Sequence, residues 1–151
     1  MLLTELLTPD QLVVPLAARD KREAISELTR HLVARAGGDF EEVLGAIQER
    51  ESVLTTGIGF GVAIPHARSS AVKELTVVGG VSESAVPFDS IDGEPVRLFF
   101  LIVGPESSAG LHVKLLSRIA RLVRRENVRQ RLVDARTPDE FYRILVDAEA
   151  R

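Results

Sequence analysis

The 151-residue sequence has no cysteine and no tryptophan, and only six phenylalanines and one tyrosine. Without cysteine there can be no disulfide, no thiolate nucleophile and no Cys-ligated zinc. The scarcity of aromatics weakens any reading built on stacking bases or sugars. Neither sign of charge dominates: 19 Lys and Arg stand against 22 Asp and Glu, a net −3, so no general polyanion binder or acidic tail is implied. Long apolar runs are missing too. The longest strongly apolar stretch, Leu98–Val103, is far short of the roughly 18–20 residues that span a bilayer. The start, MLLTELLTPD, has no positive charge and is interrupted by Glu5, which makes it a poor signal peptide. The chain therefore reads as cytoplasmic, with no membrane insertion.

What is present is 45% hydrophobic and 27% charged, enough for one packed core, and the length predicts a single domain over 1–151. Three helix starts are legible. Asp20 with Glu23, Asp39 with Glu42, and Thr137 with Glu140 each set a capping oxygen three residues before a carboxylate. Pro138 follows Thr137 at the position where a missing N–H costs nothing. These signals predict helices over about 20–36, 40–50 and 138–149. Leu111, Leu115, Leu116, Ile119, Leu122 and Val123 recur at helical spacing and predict another over about 109–124, with a short one over 127–134. Strands are predicted at Leu12–Val14, Val62–Ile64, Leu75–Val81 and Val96–Val103, the last two nearly continuously apolar, as in strands covered on both faces. Asp92-Gly93 suggests a turn between a short Val86–Phe88 segment and Val96. Helices interleaved with buried strands predict a three-layer α/β domain.

The chemistry concentrates in residues 50–68, RESVLTTGIGFGVAIPHAR. Gly57, Gly59 and Gly61 alternate after Thr55 and Thr56, and such backbone can turn its N–H groups toward an anion. The dinucleotide fingerprint nevertheless fails at Val62, and the P-loop's Gly-Lys-Ser/Thr is absent. His66 follows Pro65 at the end of a predicted strand, where α/β sheets present functional groups. An imidazole is a nucleophile near neutral pH and can carry a phosphoryl group covalently. His112 falls in the first turn of the 109–124 helix and points inward, so its ring N–H could donate to phosphate oxygens. Arg50 offers an always-charged fork suited to the same oxygens. His31 projects from the flank of the 20–36 helix, as a surface residue would. The three histidines lack metal-ligand spacing and no HExxH occurs, so no metal site is expected. No G-x-S-x-G elbow supports a Ser-His-Asp hydrolase.

One charge feature stands apart. Lys114, Arg118, Arg121, Arg124, Arg125, Arg129 and Arg131 face only Glu126 between 114 and 131, whereas the remaining chain holds 12 basic and 21 acidic residues. Lys114, Arg118, Arg121 and Arg125 share one helix face. This is a solvated face, a docking surface for an acidic partner, or a weak nucleic-acid contact that the few aromatics disfavour.

Glu51, then Ile58-Gly59, then Val62-Ala63-Ile64-Pro65-His66-Ala67 resemble the phosphohistidine signature of enzyme IIA of the bacterial phosphoenolpyruvate-dependent phosphotransferase system, in its fructose/mannitol class. That class includes the stand-alone nitrogen-regulatory IIA proteins. Pro87-Phe88-Asp89, Asp92-Gly93, Pro95-Val96, Val103-Gly104-Pro105 and Leu111-His112 through Leu116 follow in family order, so the resemblance covers essentially the whole chain.

By the resemblance, His66 accepts a phosphoryl group from a phosphocarrier protein similar to HPr. His112 is the second active-site histidine, and Arg50 the arginine before the signature loop. The implied fold is a mostly parallel mixed sheet flanked by helices on both faces. Amides near Gly57–Gly61 and the hydroxyls of Thr55 or Thr56 are candidate phosphate ligands, and Phe60 a candidate apolar wall; no cofactor is needed. The implied partners are the carrier and either a regulated target or a permease IIB subunit, with no nucleic acid expected. No fused permease or HPr segment is evident, which favours a free-standing regulatory protein over a sugar relay. The remaining alternative is a non-phosphorylatable binding module using the basic 114–131 face.

Overall fold

The computed structural model describes residues 1–150. Every helix start read from a capping pair forms as such. Asp20 accepts the amide of Glu23 at 2.8 Å and opens α1, Lys21–Ala36. Asp39 accepts that of Glu42 at 3.0 Å and opens α2, Phe40–Val53. After α2 come three short strands, β2 (Gly57–Gly59), β3 (Val62–Ala63) and β4 (His66–Arg68). They follow β1, Leu12–Leu16, which precedes both helices. The long strands β5 (Thr76–Val86) and β6 (Val96–Gly104) lead into α3 (Ala109–Arg124), α4 (Glu126–Val133) and α5 (Pro138–Glu149). The helix α5 is capped by the Thr137 hydroxyl, 3.1 Å from the amide of Glu140.

The strands form one mixed sheet in the order β1-β5-β6-β3-β2, with β4 also on β6. Strand β1 runs parallel to β5, and β3 and β4 run parallel to β6, whereas β5–β6 and β2–β3 are antiparallel. Strand β6 and the first part of β5, Thr76–Ser82, are covered on both faces, as their apolar character predicts, whereas Glu83–Ala85 of β5 are exposed. On β6 the side chains alternate: Leu98, Phe100 and Ile102 pack with α3, α4 and α5, and Phe99, Leu101 and Val103 pack with α1 and α2. Gly80 lets β1 approach β5 closely, since a Cβ there would meet the Val13 carbonyl oxygen at 2.4 Å. The result is the expected three-layer α/β arrangement. No helix among the described residues is long and apolar enough to cross a membrane.

Three local expectations need correction. The predicted Val86–Phe88 segment is not separate, because Val86 ends β5 and pairs with Val96 across the loop that contains Asp92-Gly93. Helix α2 extends three residues beyond its predicted end at 50, which places Arg50 and Glu51 inside its last turn. The glycine-rich stretch is not a loop cradle. It folds as the β2–β3 hairpin, whose two-residue turn places both Phe60 (φ 60°) and Gly61 (φ 75°) in the left-handed region.

Candidate active site

Strands β3 and β4 lie end to end along β6, with Val62 opposite Leu98 and His66 opposite Ile102. Pro65 turns the chain between them, and its carbonyl accepts the amide of Ile102 at 3.0 Å. Because β2 pairs only with β3, the outer edge of β4 has no neighbouring strand among the described residues. Helices α2 and α3, which belong to opposite layers, both contribute side chains beside that free edge. Between them is a cavity of about 540 Å³ lined by His66, Ala67 and Arg68 of β4, Arg50 and Val53 of α2, and His112, Val113 and Leu116 of α3.

His66 is half-buried at the base of this cavity. Its Nδ1 is 2.9 Å from the carbonyl oxygen of Ile64. A carbonyl only accepts, so Nδ1 carries the proton and the lone pair resides on Nε2. Burial lowers the His66 pKa, the Ile64 contact partly opposes this, and the Arg50 charge lowers it further. The ring is therefore neutral at neutral pH. His112 meets it edge to face, with ring centroids 5.5 Å apart and planes at 67°.

His112 is only 3% exposed, and its Nδ1 is buried without a hydrogen-bond partner. A neutral imidazole has one ring proton, and it is worth most where a partner can be reached, so Nε2–H is the favoured tautomer. Burial first, then the charges of His66 and Arg68, push the His112 pKa down to about 4. The sign of the consequence is definite. Between pH 6.5 and 4 the unfolded chain binds this proton and the folded chain does not, so folding stability falls as pH falls through that window. The His112 share of the loss in urea stability between pH 7.5 and 4.5 should be about 2.5 kcal/mol, and it should be absent from His112→Phe.

Arg50 Nη1 donates to the carbonyl of Leu54 at 2.8 Å, which caps the end of α2 and leaves most of its N–H groups for the cavity. The next residue, Glu51, is buried and turned away from the cavity. It accepts the amide of Thr56 at 2.8 Å and the Thr56 hydroxyl, and pairs with Lys21 Nζ at 3.0 Å. Burial alone would raise its pKa, but Thr56 and Lys21 outweigh this and hold it below the usual carboxylate range. Glu51 thus anchors the segment carrying Leu54, to which Arg50 is bonded. The sequence contained this glutamate in its signature without revealing that role.

The cavity unites His66, His112 and Arg50, and it does not include the other predicted phosphate ligands. Thr56 is spent on Glu51, and the Thr55 hydroxyl donates to the Phe88 carbonyl at 3.2 Å while accepting the Gly57 amide at 3.1 Å. Gly57 is a glycine for packing, since a Cβ there would lie 2.5 Å from Ser90 Oγ. Gly59 ends β2 and Gly61 is the second residue of the hairpin turn, and none of the three glycines lines the cavity. Phe60 is not a wall of the site either. It sits exposed at the hairpin tip with the Arg129 guanidinium 4.7 Å from its ring centre. His31 is exposed on α1. Arg68, a cavity residue, was not among the sequence candidates, although a period of two from His66 puts both on one strand face. No cluster of three or more potential metal ligands occurs among the described residues.

Residues 5–148 match the sequence profile of the family described as "Phosphoenolpyruvate-dependent sugar phosphotransferase system, EIIA 2". The chain belongs to this family. A nitrogen regulatory protein of Bradyrhizobium diazoefficiens is 32% identical over 145 residues, spanning 96% of this chain and 95% of that one. The fructose-specific EIIABC component of Bacillus subtilis is 35% identical over 147 residues, which are 96% of this chain but 23% of that protein. The crystal structure of nitrogen regulatory protein IIA-Ntr from Neisseria meningitidis superposes with a TM-score of 0.88 at 30% identity, covering 94% of this chain and 97% of that one.

Proposed function

We propose that this protein is a phosphoryl-accepting and phosphoryl-donating IIA protein that carries the group on Nε2 of His66. The observation that carries the reading is the Ile64 carbonyl on His66 Nδ1, which leaves Nε2 as the free nucleophile in a cavity shared with Arg50 and His112. The donor is a phosphohistidine on an HPr-like phosphocarrier. The lone pair of His66 Nε2 attacks phosphorus in line, the new N–P bond forms as the donor's breaks, and the donor ring leaves as neutral imidazole. No proton need move between the two rings when each enters with a proton on its non-reacting nitrogen, Nδ1 in the case of His66 and the unphosphorylated nitrogen in the case of the donor. The Ile64 carbonyl then supports the positive charge that the phosphorylated ring acquires. Transfer of this kind asks mainly for positioning and for charge stabilisation on the equatorial oxygens. Arg50 and the Nε2–H of His112 supply that, without metal or cofactor.

The regulatory reading is favoured for this chain: the phosphorylation state of His66 sets which target protein it binds, in the cytoplasm. Its support is the end-to-end match to a nitrogen regulatory relative and the close superposition on IIA-Ntr. The second reading, relay to a IIB subunit of a sugar permease, is supported by the fructose-specific relative in which A, B and C components are joined.

The test is incubation with phosphoenolpyruvate, enzyme I and an HPr-type carrier, followed by intact-mass measurement. One acid-labile phosphoryl adduct is expected. No adduct from any carrier of this type would end both readings.

A further inference from the structure

Arg68 and Glu106 stand beside the cavity and take no part in the chemistry above. Arg68 leaves β4 on the same face as His66, two residues earlier, and both line the cavity. Its Nη1 is 3.0 Å from Oε1 of Glu106. Glu106 opens the single 3-10 turn Glu106–Ser108, which runs directly into α3 and so toward His112. The pair is exposed on both sides, 42% for Arg68 and 77% for Glu106, and ion pairs held in water are weak. Arg68 nonetheless acts on both imidazoles, lowering each pKa, and Glu106 raises that of His112.

A phosphoryl group on His66 would bring close to two negative charges and three acceptor oxygens into the same cavity. Such a group binds a guanidinium more strongly than one solvated carboxylate does. We propose that Arg68 is a second phosphoryl-binding residue, held by Glu106 while His66 is unmodified, that exchanges Glu106 for the phosphoryl oxygens when His66 is charged. The inference rests on the reading that His66 carries a phosphoryl group. The exchange leaves Glu106 unpaired at the mouth of the site and frees the turn in front of α3. A partner that contacts this rim would then meet a different charge pattern in each state.

The test is a double-mutant cycle on the equilibrium constant for phosphoryl exchange with an HPr-type carrier, comparing wild type, Arg68→Gln, Glu106→Gln and the double variant. Arg68→Gln should lower the phosphorylated share about tenfold, with Arg68→Lys recovering part of it. Glu106→Gln should raise it about threefold in the wild-type background and leave it unchanged when residue 68 is already Gln. Charging with phosphoramidate, which needs no protein donor, should shift the backbone amide resonances of 106–109 in wild type and not in Arg68→Gln.

An equal Glu106→Gln effect in both backgrounds would mean simple repulsion through space and would overturn the exchange. Unmoved resonances at 106–109, or an Arg68→Gln protein that equilibrates like wild type, would overturn it as well. If His66 takes no phosphoryl group from carrier or phosphoramidate, the functional reading fails and the exchange with it. If His66 is charged but the cycle is additive, the exchange alone fails.

Discussion

His66→Gln should abolish the phosphoryl adduct entirely, leaving the intact mass unchanged after incubation with phosphoenolpyruvate, enzyme I and an HPr-type carrier. No other side chain is placed to take over. His112 is the nearest substitute, but with its ring proton on Nε2 its lone pair lies on the buried Nδ1, and an in-line approach by a phosphohistidine on another protein requires an accessible lone pair. His31 is exposed but sits on α1 and does not line the cavity. Cysteine, the other side chain that is nucleophilic at neutral pH, is absent from the sequence. The variant should remain folded. His66 is only half-buried and gives up one hydrogen bond to the Ile64 carbonyl, a change of about 1 kcal/mol measurable by urea unfolding. An adduct that persisted on the variant would move the acceptor elsewhere.

The second large effect belongs to Arg50. Arg50→Ala should slow single-turnover transfer from the carrier by about 100-fold, the scale of losing one preorganised donor to a developing oxyanion. The residue is half-buried and fixed through Leu54, so the guanidinium is already beside His66 before the donor arrives. Little of that loss should come from unfolding, since the contact it surrenders is a single bond at a helix end. Arg50→Lys should recover only part of the rate, because an ammonium keeps the charge but not the planar fork. A second consequence separates the charge from the geometry. The Arg50 charge helps hold the His66 pKa down, so Arg50→Ala should raise that pKa in an NMR titration. Rates within twofold of wild type would remove Arg50 from the site.

Helices were the most legible part of this chain because their caps are written locally. Asp20, Asp39 and Thr137 each need only a partner three residues away. The longest apolar run, β6, was equally plain, since it is buried on both faces and its composition follows from that, whereas β5 was legible only to Val81 because Glu83–Ala85 are exposed. Strands β2 and β4 have three residues each and exist only through pairing with β3 and β6, which no local pattern encodes. The glycines were ambiguous for a related reason. A hairpin turn with two left-handed residues and a phosphate cradle both call for glycine, and the choice between them depends on strand pairing.

The candidate site was legible where residue type and spacing coincided, and His66, His112 and Arg50 do line one cavity. It was not legible where neighbours intervened. Thr55 and Thr56 have the right chemistry but are bonded to Phe88 and Glu51. The basic stretch 114–131 shows the same limit. Arg118 pairs with Glu149 at 2.7 Å, Arg131 with Asp147 at 3.3 Å, and Arg129 covers Phe60. Much of what read as a free charged face is therefore committed within the molecule.

The proposed transfer depends most on a single atom, Nε2 of His66, being the one the fold leaves free. The decisive measurement is the position of the phosphoryl group on the ring, read from phosphorus–proton couplings in an NMR spectrum of the charged protein. The Ile64 contact predicts phosphorus on Nε2, with the Nδ1 proton retained. Phosphorus on Nδ1, or on any residue other than His66, would contradict it.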